Sequence, residues 1–347
     1  MMIKRQANFE QLIHELNIPN LEADNVEYWE QIHQLSIQSV VNNNGILPVN
    51  PPFEKHPYLV PLDNDIAATG VMIGTFPPLT YLCSQFNLDN LRYNNQSFTA
   101  PIFDYFHGNY TSLWKYTPID FDLIIEAPRA EQPRLTMDSL TAAGIVYSDI
   151  IKFTQRTLNT KGKYDAGDNN LSSIIPNEQL IQFLLNSESV NRLYFTNSSF
   201  FHTNNPFFNA DGQIRLNEND AFGLFIKTAL DMNVQVEYSL WNNDNWVELN
   251  ELPKPLNVRQ LINGHLKTKV LLELRLIFEG MQKVYKICSA VSPAAVNRGR
   301  VRLNPCVQLY RNNTNCLISE APARLLSETL SCFFNNNLNE LAQFNVN

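Results

Sequence analysis

The 347-residue chain has no apolar run approaching the roughly 20 residues that a bilayer-spanning helix requires, and its start, Met1-Met2-Ile3-Lys4-Arg5-Gln6, lacks the apolar stretch of a secretory signal. No membrane role is expected, and the cytoplasm is the expected location. Cysteine is scarce. The five residues Cys83, Cys288, Cys306, Cys316 and Cys332 are odd in number and show neither a CxxC pair nor a Cys/His ligand spacing. The pattern argues against zinc and iron–sulfur clusters and for reduced, mostly buried thiols. Disorder-prone composition and internal repeats are also missing, while an apolar content of 44% suffices for one large core or two modest ones.

Net positive charge is lacking as well: the formal charge of −8 argues against a protein coated in nucleic acid. The average hides an asymmetry. Residues 1–100 hold 4 Lys/Arg against 10 Asp/Glu, whereas residues 254–311 hold 11 Lys/Arg against only Glu273 and Glu279. One region can face phosphate while the rest does not; the alternative is a solvated basic hairpin.

Apolar residues Leu12, Ile13, Leu16, then Trp29, Ile32, Leu35 and Val40 fall close to helical spacing, with Pro19 and Asn20 breaking the run and Ile37 off the stripe. Residues 1–60 therefore read as a helical extension, which either docks a partner or covers an exposed sheet edge, closed by a Pro-rich irregular connector from Leu47 to Pro61. Residues 61–347 read as the main domain, with an insertion around 200–285. Strands are expected at Gly70–Ile73, Leu123–Ile125, Arg192–Thr196, Val234–Ser239, Thr268–Glu279 and Lys283–Ser289. Helices are expected at Met137–Ala143, Ile145–Phe153, Asn177–Leu185, Ala221–Leu230 and Ala321–Phe334, the last capped by Asn335-Asn336-Asn337. Such alternation favours an α/β fold, three-layer α/β/α around a central, mostly parallel sheet. The Asn-rich stretch 242–256 reads as an inserted loop, and Gly280 as the turn of an antiparallel hairpin.

Three segments read as apolar strand ends running into tight polar loops, where open α/β sheets place ligand sites. They are Ile73-Gly74-Thr75-Phe76-Pro77-Pro78, Gly144-Ile145-Val146-Tyr147-Ser148-Asp149, and Ser289 to Arg298. Gly74 and the two prolines make a rigid turn whose backbone can approach a sugar or phosphate, or simply end a strand. The aromatic, polar run Phe103-Asp104-Tyr105-Phe106-His107 through Trp114 supplies flat rings for stacking, or plain core. Asp149, as an ionised carboxylate, only accepts hydrogen bonds; it can face a base edge that presents a donor, or cap the helix expected to follow. His107 and His202 read as structural or surface histidines.

Together these segments resemble the uracil-DNA glycosylase superfamily. The order Asp149, Arg156, Asp168-Asn169-Asn170, then Leu193–Thr196 with Asn197, is nearest the hypoxanthine/mismatch-type branch, and Ser292-Pro293 with Asn297-Arg298 resembles the family's minor-groove loop. The resemblance covers residues 68–305 in patches. It implies a monofunctional DNA glycosylase that flips a non-standard base from DNA and hydrolyses its N-glycosidic bond, without metal, cofactor or obligatory protein partner. A modified cytosine is the preferred base, as in anti-phage members; a hypoxanthine or uracil repair enzyme and a catalytically inactive nucleic-acid binder are the alternatives.

By the same resemblance, Asp149, Asp168 and Thr75 are the catalytic candidates, and Phe76, Asp104, Tyr105, Phe106 and Asn197 would contact the base. Ser292, Pro293, Asn297, Arg298 and Arg300 would contact DNA. The sequence departs from the uracil enzymes at Phe76 and Pro78, where they carry a water-positioning acid or amide and a blocking tyrosine, and near Ala290, where they carry histidine. Asp149, Asp168 or Asp104 is left to position water, and a 5-substituent on the base is admitted.

Overall fold

A computed structural model of the chain describes residues 26–48, 52–59, 61–62, 66–85, 88–99, 113–164, 170–196, 220–242, 245–248, 272–288, 296, 301–302, 305–338 and 340. In chain order these form α1 (Val26–Asn42), β1 (Phe53–Lys55), β2 (Gly70–Gly74), α2 (Tyr81–Gln85), β3 (Asn90–Tyr93), β4 (Gln96–Thr99) and a 3-10 turn at Trp114–Tyr116. Next come α3 (Asp122–Glu126), α4 (Gln132–Ala142), β5 (Ile145–Asp149), β6 (Ile151–Arg156), β7 (Leu171–Pro176), α5 (Glu178–Asn186), β8 (Arg192–Phe195) and α6 (Ala221–Asp231). The chain continues through β9 (Gln235–Asn242), β10 (Asn245–Glu248), β11 (Leu272–Phe278), β12 (Met281–Cys288), α7 (Pro305–Thr314) and α8 (Ala321–Phe334).

A seven-stranded sheet in the order β10-β9-β11-β12-β8-β2-β5 forms the centre. The α/β class stands, but the sheet is mixed: β12, β8, β2 and β5 run parallel, whereas β10, β9, β11 and β12 pair antiparallel. The antiparallel half follows from local turn chemistry. Glu279 and Gly280 both have positive φ (49° and 82°), as a two-residue hairpin turn requires, and the expected β11–β12 hairpin forms there with Phe278 opposite Met281. Asn242 and Asn245 likewise pair across a short reversal, so part of the expected Asn-rich loop is strand β10.

Helices cover both faces of this sheet. Successive strand residues point to opposite sides, and on β8 Tyr194 packs against Phe333 of α8 (5.7 Å) while Phe195 packs against Phe222 and Phe225 of α6 (5.1 and 5.4 Å). The close approach of α8 needs Gly70: a Cβ there would stand 3.0 Å from Phe333 and 2.9 Å from Ile145. Arg192, fully buried, donates through Nε to the Phe333 carbonyl (2.6 Å) in the last turn of α8, a carbonyl that also accepts from the Asn336 amide (3.3 Å). Asn336 then takes φ of 56° beyond the helix, consistent with the expected asparagine cap.

Two expected elements change type. Leu123–Ile125 is helix rather than strand, because only one side meets the core: Ile124 is buried while Leu123 is 69% exposed. Ile145–Phe153, expected as helix, is β5 and the start of β6. Both faces of this apolar run are covered, and buried parallel strands lose the alternation that distinguishes them from a helix.

Strands β1, β6 and β7 make a second, antiparallel sheet, and β5 enters it directly through Ile150. The connector expected to be irregular thus contains an edge strand, β1. Its outward amides are covered by α1: Phe53 N–H donates to Ser36 Oγ (2.7 Å) and Lys55 N–H to His33 Nδ1 (3.0 Å), while Trp29 packs on Phe53 (5.3 Å). Of the two roles expected for the extension, the described part covers a sheet edge. That contact also rotates the helix from its expected stripe, burying Ile37 and leaving Leu35 49% exposed. Residues 1–25 lie outside the described set, in which no helix is long and apolar enough to cross a membrane.

Two outcomes follow for the α1–β1 contact. Ser36→Ala leaves the Phe53 amide without its acceptor and should lower unfolding free energy by about 1–2 kcal/mol in urea titration. Burial holds the His33 pKa below the usual histidine value of 6.5. The unfolded chain therefore takes up this proton first as pH falls, and stability is lost from about 6.5 downwards. His33→Gln should remove that part of the acid slope, measured as urea midpoint against pH.

Candidate functional site

The parallel register of β2 and β5 sets Gly74 opposite Asp149 at the carboxyl ends of both strands. The following loop is tied to the corner between β5 and β6: Gly74 O accepts from Ile150 N–H (3.0 Å) and Thr75 O from Ile151 N–H (3.3 Å). Asp149, Thr75 and Phe76, three of the candidates, are brought together and buried here. Asp149 does not cap a helix. Its strand continues through Ile150 into β6, and Asn177 Nδ2 holds the turn by donating to the Asp149 carbonyl (3.1 Å) and Ser148 Oγ (3.2 Å).

The Asp149 side chain meets His56, a residue 93 positions earlier that the sequence did not single out. His56 Nε2 lies 2.9 Å from Asp149 Oδ2, and the two side chains are 0% and 4% exposed. Antiparallel pairing of β1 with β6 explains the meeting: Lys55 stands opposite Phe153, and the His56 amide extends the ladder by donating to the Lys152 carbonyl (2.9 Å). Asp149 Oδ1 is also buried and, among the described residues, has no hydrogen-bond partner. It lies over Gly74, where a Cβ would come within 2.2 Å of Oδ1 and 2.7 Å of the Tyr147 hydroxyl. Only glycine fits beneath this carboxylate, which gives the Gly74 of the motif a definite steric reason.

Phe76 sits between His56, whose ring meets it edge-on at 5.4 Å, and the Arg156 guanidinium at 5.6 Å. Arg156 in turn donates through Nε to Glu54 Oε1 (2.8 Å) and through Nη2 to Glu54 Oε2 (3.2 Å), and Nη2 also reaches the Pro77 carbonyl. The pair is 2–3% exposed. Burial pushes the Glu54 carboxyl above the usual carboxylate range, and the adjacent guanidinium pulls it back. On the Asp149 side, Tyr147 packs against Trp114 (5.6 Å), so the last residue of the aromatic run reaches this site.

Asp104, Tyr105, Phe106, Asp168, Asn197, Ser292, Pro293, Asn297, Arg298 and Arg300 lie outside the described residues. In the basic region, Arg275 is paired with Glu273 (3.1 Å) and approaches Glu237 (3.9 Å), and Lys283 donates to the Ser187 carbonyl (3.1 Å), whereas Arg302 and Arg311 are exposed. Part of the excess positive charge is therefore spent within the fold. No cluster of three metal-ligating side chains occurs among the described residues.

A carboxylate with one oxygen held by an imidazole N–H and the other unpaired can accept one further hydrogen bond, from water or from a substrate N–H. Leaving a buried acceptor unpaired costs about 1–3 kcal/mol, and such exceptions concentrate where binding or catalysis uses the atom. Glu54 and His56 had one legible signal: Phe53-Glu54-Lys55 between Pro52 and Pro57 has the short, proline-bounded form of an edge strand. Their partners were not legible, because the contacts span 93 and 102 residues. No protein-family model, curated protein or solved structure matches the chain.

The Glu54–Arg156 pair gives a measurable signature. Arg156→Met alone strands a buried carboxylate and should cost about 3–5 kcal/mol, whereas adding Glu54→Leu should recover much of that loss. Urea unfolding of the two single variants and the double variant measures the coupling; strictly additive losses would show that the ion pair is not the support described.

Proposed function

We propose that the chain is a monofunctional DNA glycosylase with a uracil-DNA glycosylase-like parallel half-sheet. One observation carries the reading. The parallel strands β5, β2, β8 and β12 end at Asp149, Gly74, Phe195 and Cys288, so four of the segments singled out by resemblance, those at Gly74–Pro78, Asp149, Asn197 and Ser289–Arg298, follow strands that end at the same edge of one sheet. Open α/β sheets bind ligands at that edge. Asp149 and the Gly74–Pro78 loop meet there, and the carboxylate has an oxygen left to accept a proton.

In this reading the target nucleotide is rotated out of the duplex. Water attacks C1′ of its sugar while Asp149 accepts the water proton, the C1′–N bond breaks, and its electron pair leaves with the base. The ionised carboxylate also stabilises the positive charge that develops on the sugar. A non-standard base is the substrate, and Pro78, where the uracil enzymes carry a blocking tyrosine, leaves room for a 5-substituted cytosine.

The test is abasic-site formation, read as alkaline strand cleavage of DNA duplexes carrying uracil, hypoxanthine, hydroxymethylcytosine or glucosylated hydroxymethylcytosine. Cleavage of one substrate is expected, with Asp149→Asn reducing turnover by roughly 10²–10⁴-fold. A wild-type protein that binds these duplexes and cleaves none would instead be a non-catalytic binder.

A further inference from the structure

His56 is held more closely than space-filling requires. The backbone N–H of Tyr58 donates to His56 Nδ1 (3.1 Å). A nitrogen that accepts a hydrogen bond carries no proton, so the ring proton lies on Nε2, which faces Asp149 Oδ2 at 2.9 Å. The ring is further fixed by edge contacts with Phe76 (5.4 Å) and Tyr58 (6.3 Å), and by the His56 amide bonded to the Lys152 carbonyl (2.9 Å). A donor so fixed engages one carboxylate oxygen only. The other, Oδ1, is left unpaired above Gly74.

We propose that His56 is the positioning residue of the site: a neutral imidazole that holds Asp149 by Oδ2, so that Oδ1 alone accepts the proton of the attacking water. The inference rests on the glycosylase reading and assigns its division of labour. As the water oxygen bonds to C1′, its proton passes to Oδ1 and the bond electrons of C1′–N leave with the base. His56 keeps its proton throughout. Releasing it to Asp149 would leave a ring with no proton on either nitrogen, and gaining a second would set an Nδ1–H against the Tyr58 N–H. The residue therefore acts through Asp149 and touches neither water nor sugar.

Two substitutions separate this role from simple packing. His56→Leu keeps apolar bulk and removes the donor; His56→Gln keeps an N–H donor at the same side-chain depth. On whichever duplex the wild type cleaves, the leucine variant should lose about 100-fold in kcat, the loss expected when a reacting group is misplaced, with KM within twofold. The glutamine variant should recover to within about fivefold of wild type. Circular dichroism and urea midpoints confirm that both variants fold. Equal losses in the two variants, or no loss in the leucine variant, would overturn the proposal.

A second measurement needs no substrate. Ring-¹⁵N-labelled protein, examined by long-range ¹H–¹⁵N correlation, should show the His56 ring, assigned among the six histidines by its loss in His56→Gln, with its proton on Nε2 and with shifts that move in Asp149→Asn. A proton on Nδ1, or on both nitrogens, would overturn the stated arrangement. A wild type silent on every duplex overturns the glycosylase reading and the catalytic part of this role, while the ring-proton measurement still decides how His56 holds Asp149.

Discussion

The Arg156 guanidinium joins three separate parts of the chain at one buried point. Its planar fork takes both oxygens of Glu54, reaches the Pro77 carbonyl and lies over the Phe76 ring, so β1, β6 and the loop after β2 are fixed against each other. Desolvating two charges is expensive, and a buried ion pair need not be more stable than an apolar one. What the pair supplies is geometry: bidentate contact sets direction as well as distance. Lysine could not reproduce it. With β1 so placed, His56 comes to Asp149, and the loop that carries Thr75 and Phe76 is held beneath.

The same strand explains why α1 belongs to the structure rather than hanging from it. A three-residue edge strand offers little of its own to hold it, and its outward amides would be open to any passing chain. Side chains of α1 accept those hydrogen bonds and cover Phe53. Stability in the helix, order in the edge strand and the position of His56 are thus coupled through a few contacts.

Asp149 stands at the corner where the chain leaves the large sheet for the small one. A buried carboxylate with an unpaired oxygen lowers stability, and the fold meets that cost while keeping Gly74 under it, where any side chain would collide. Strain-free cores do not need such an arrangement. On the proposed glycosylase reading, chemistry at the carboxyl edge of the parallel strands gives it a purpose.

Much of the architecture was legible from local pattern. The 279–280 turn, the strands flanking it, the helices at 178–186, 221–231 and 321–334, and the glycine ending β2 all follow from short-range periodicity and turn chemistry. Asp149 and Gly74 were legible as candidates because both end apolar runs. The type of the 145–153 segment was not, since a strand buried on both faces shows no alternation. Nor were Glu54 and His56, whose meaning lies in partners about a hundred residues away. Sequence alone determined the elements whose hydrogen bonds and apolar faces are set by near neighbours. Tertiary structure alone decided which carboxylate has its imidazole and which arginine its glutamate, because strand register, not sequence spacing, brings those charges within reach.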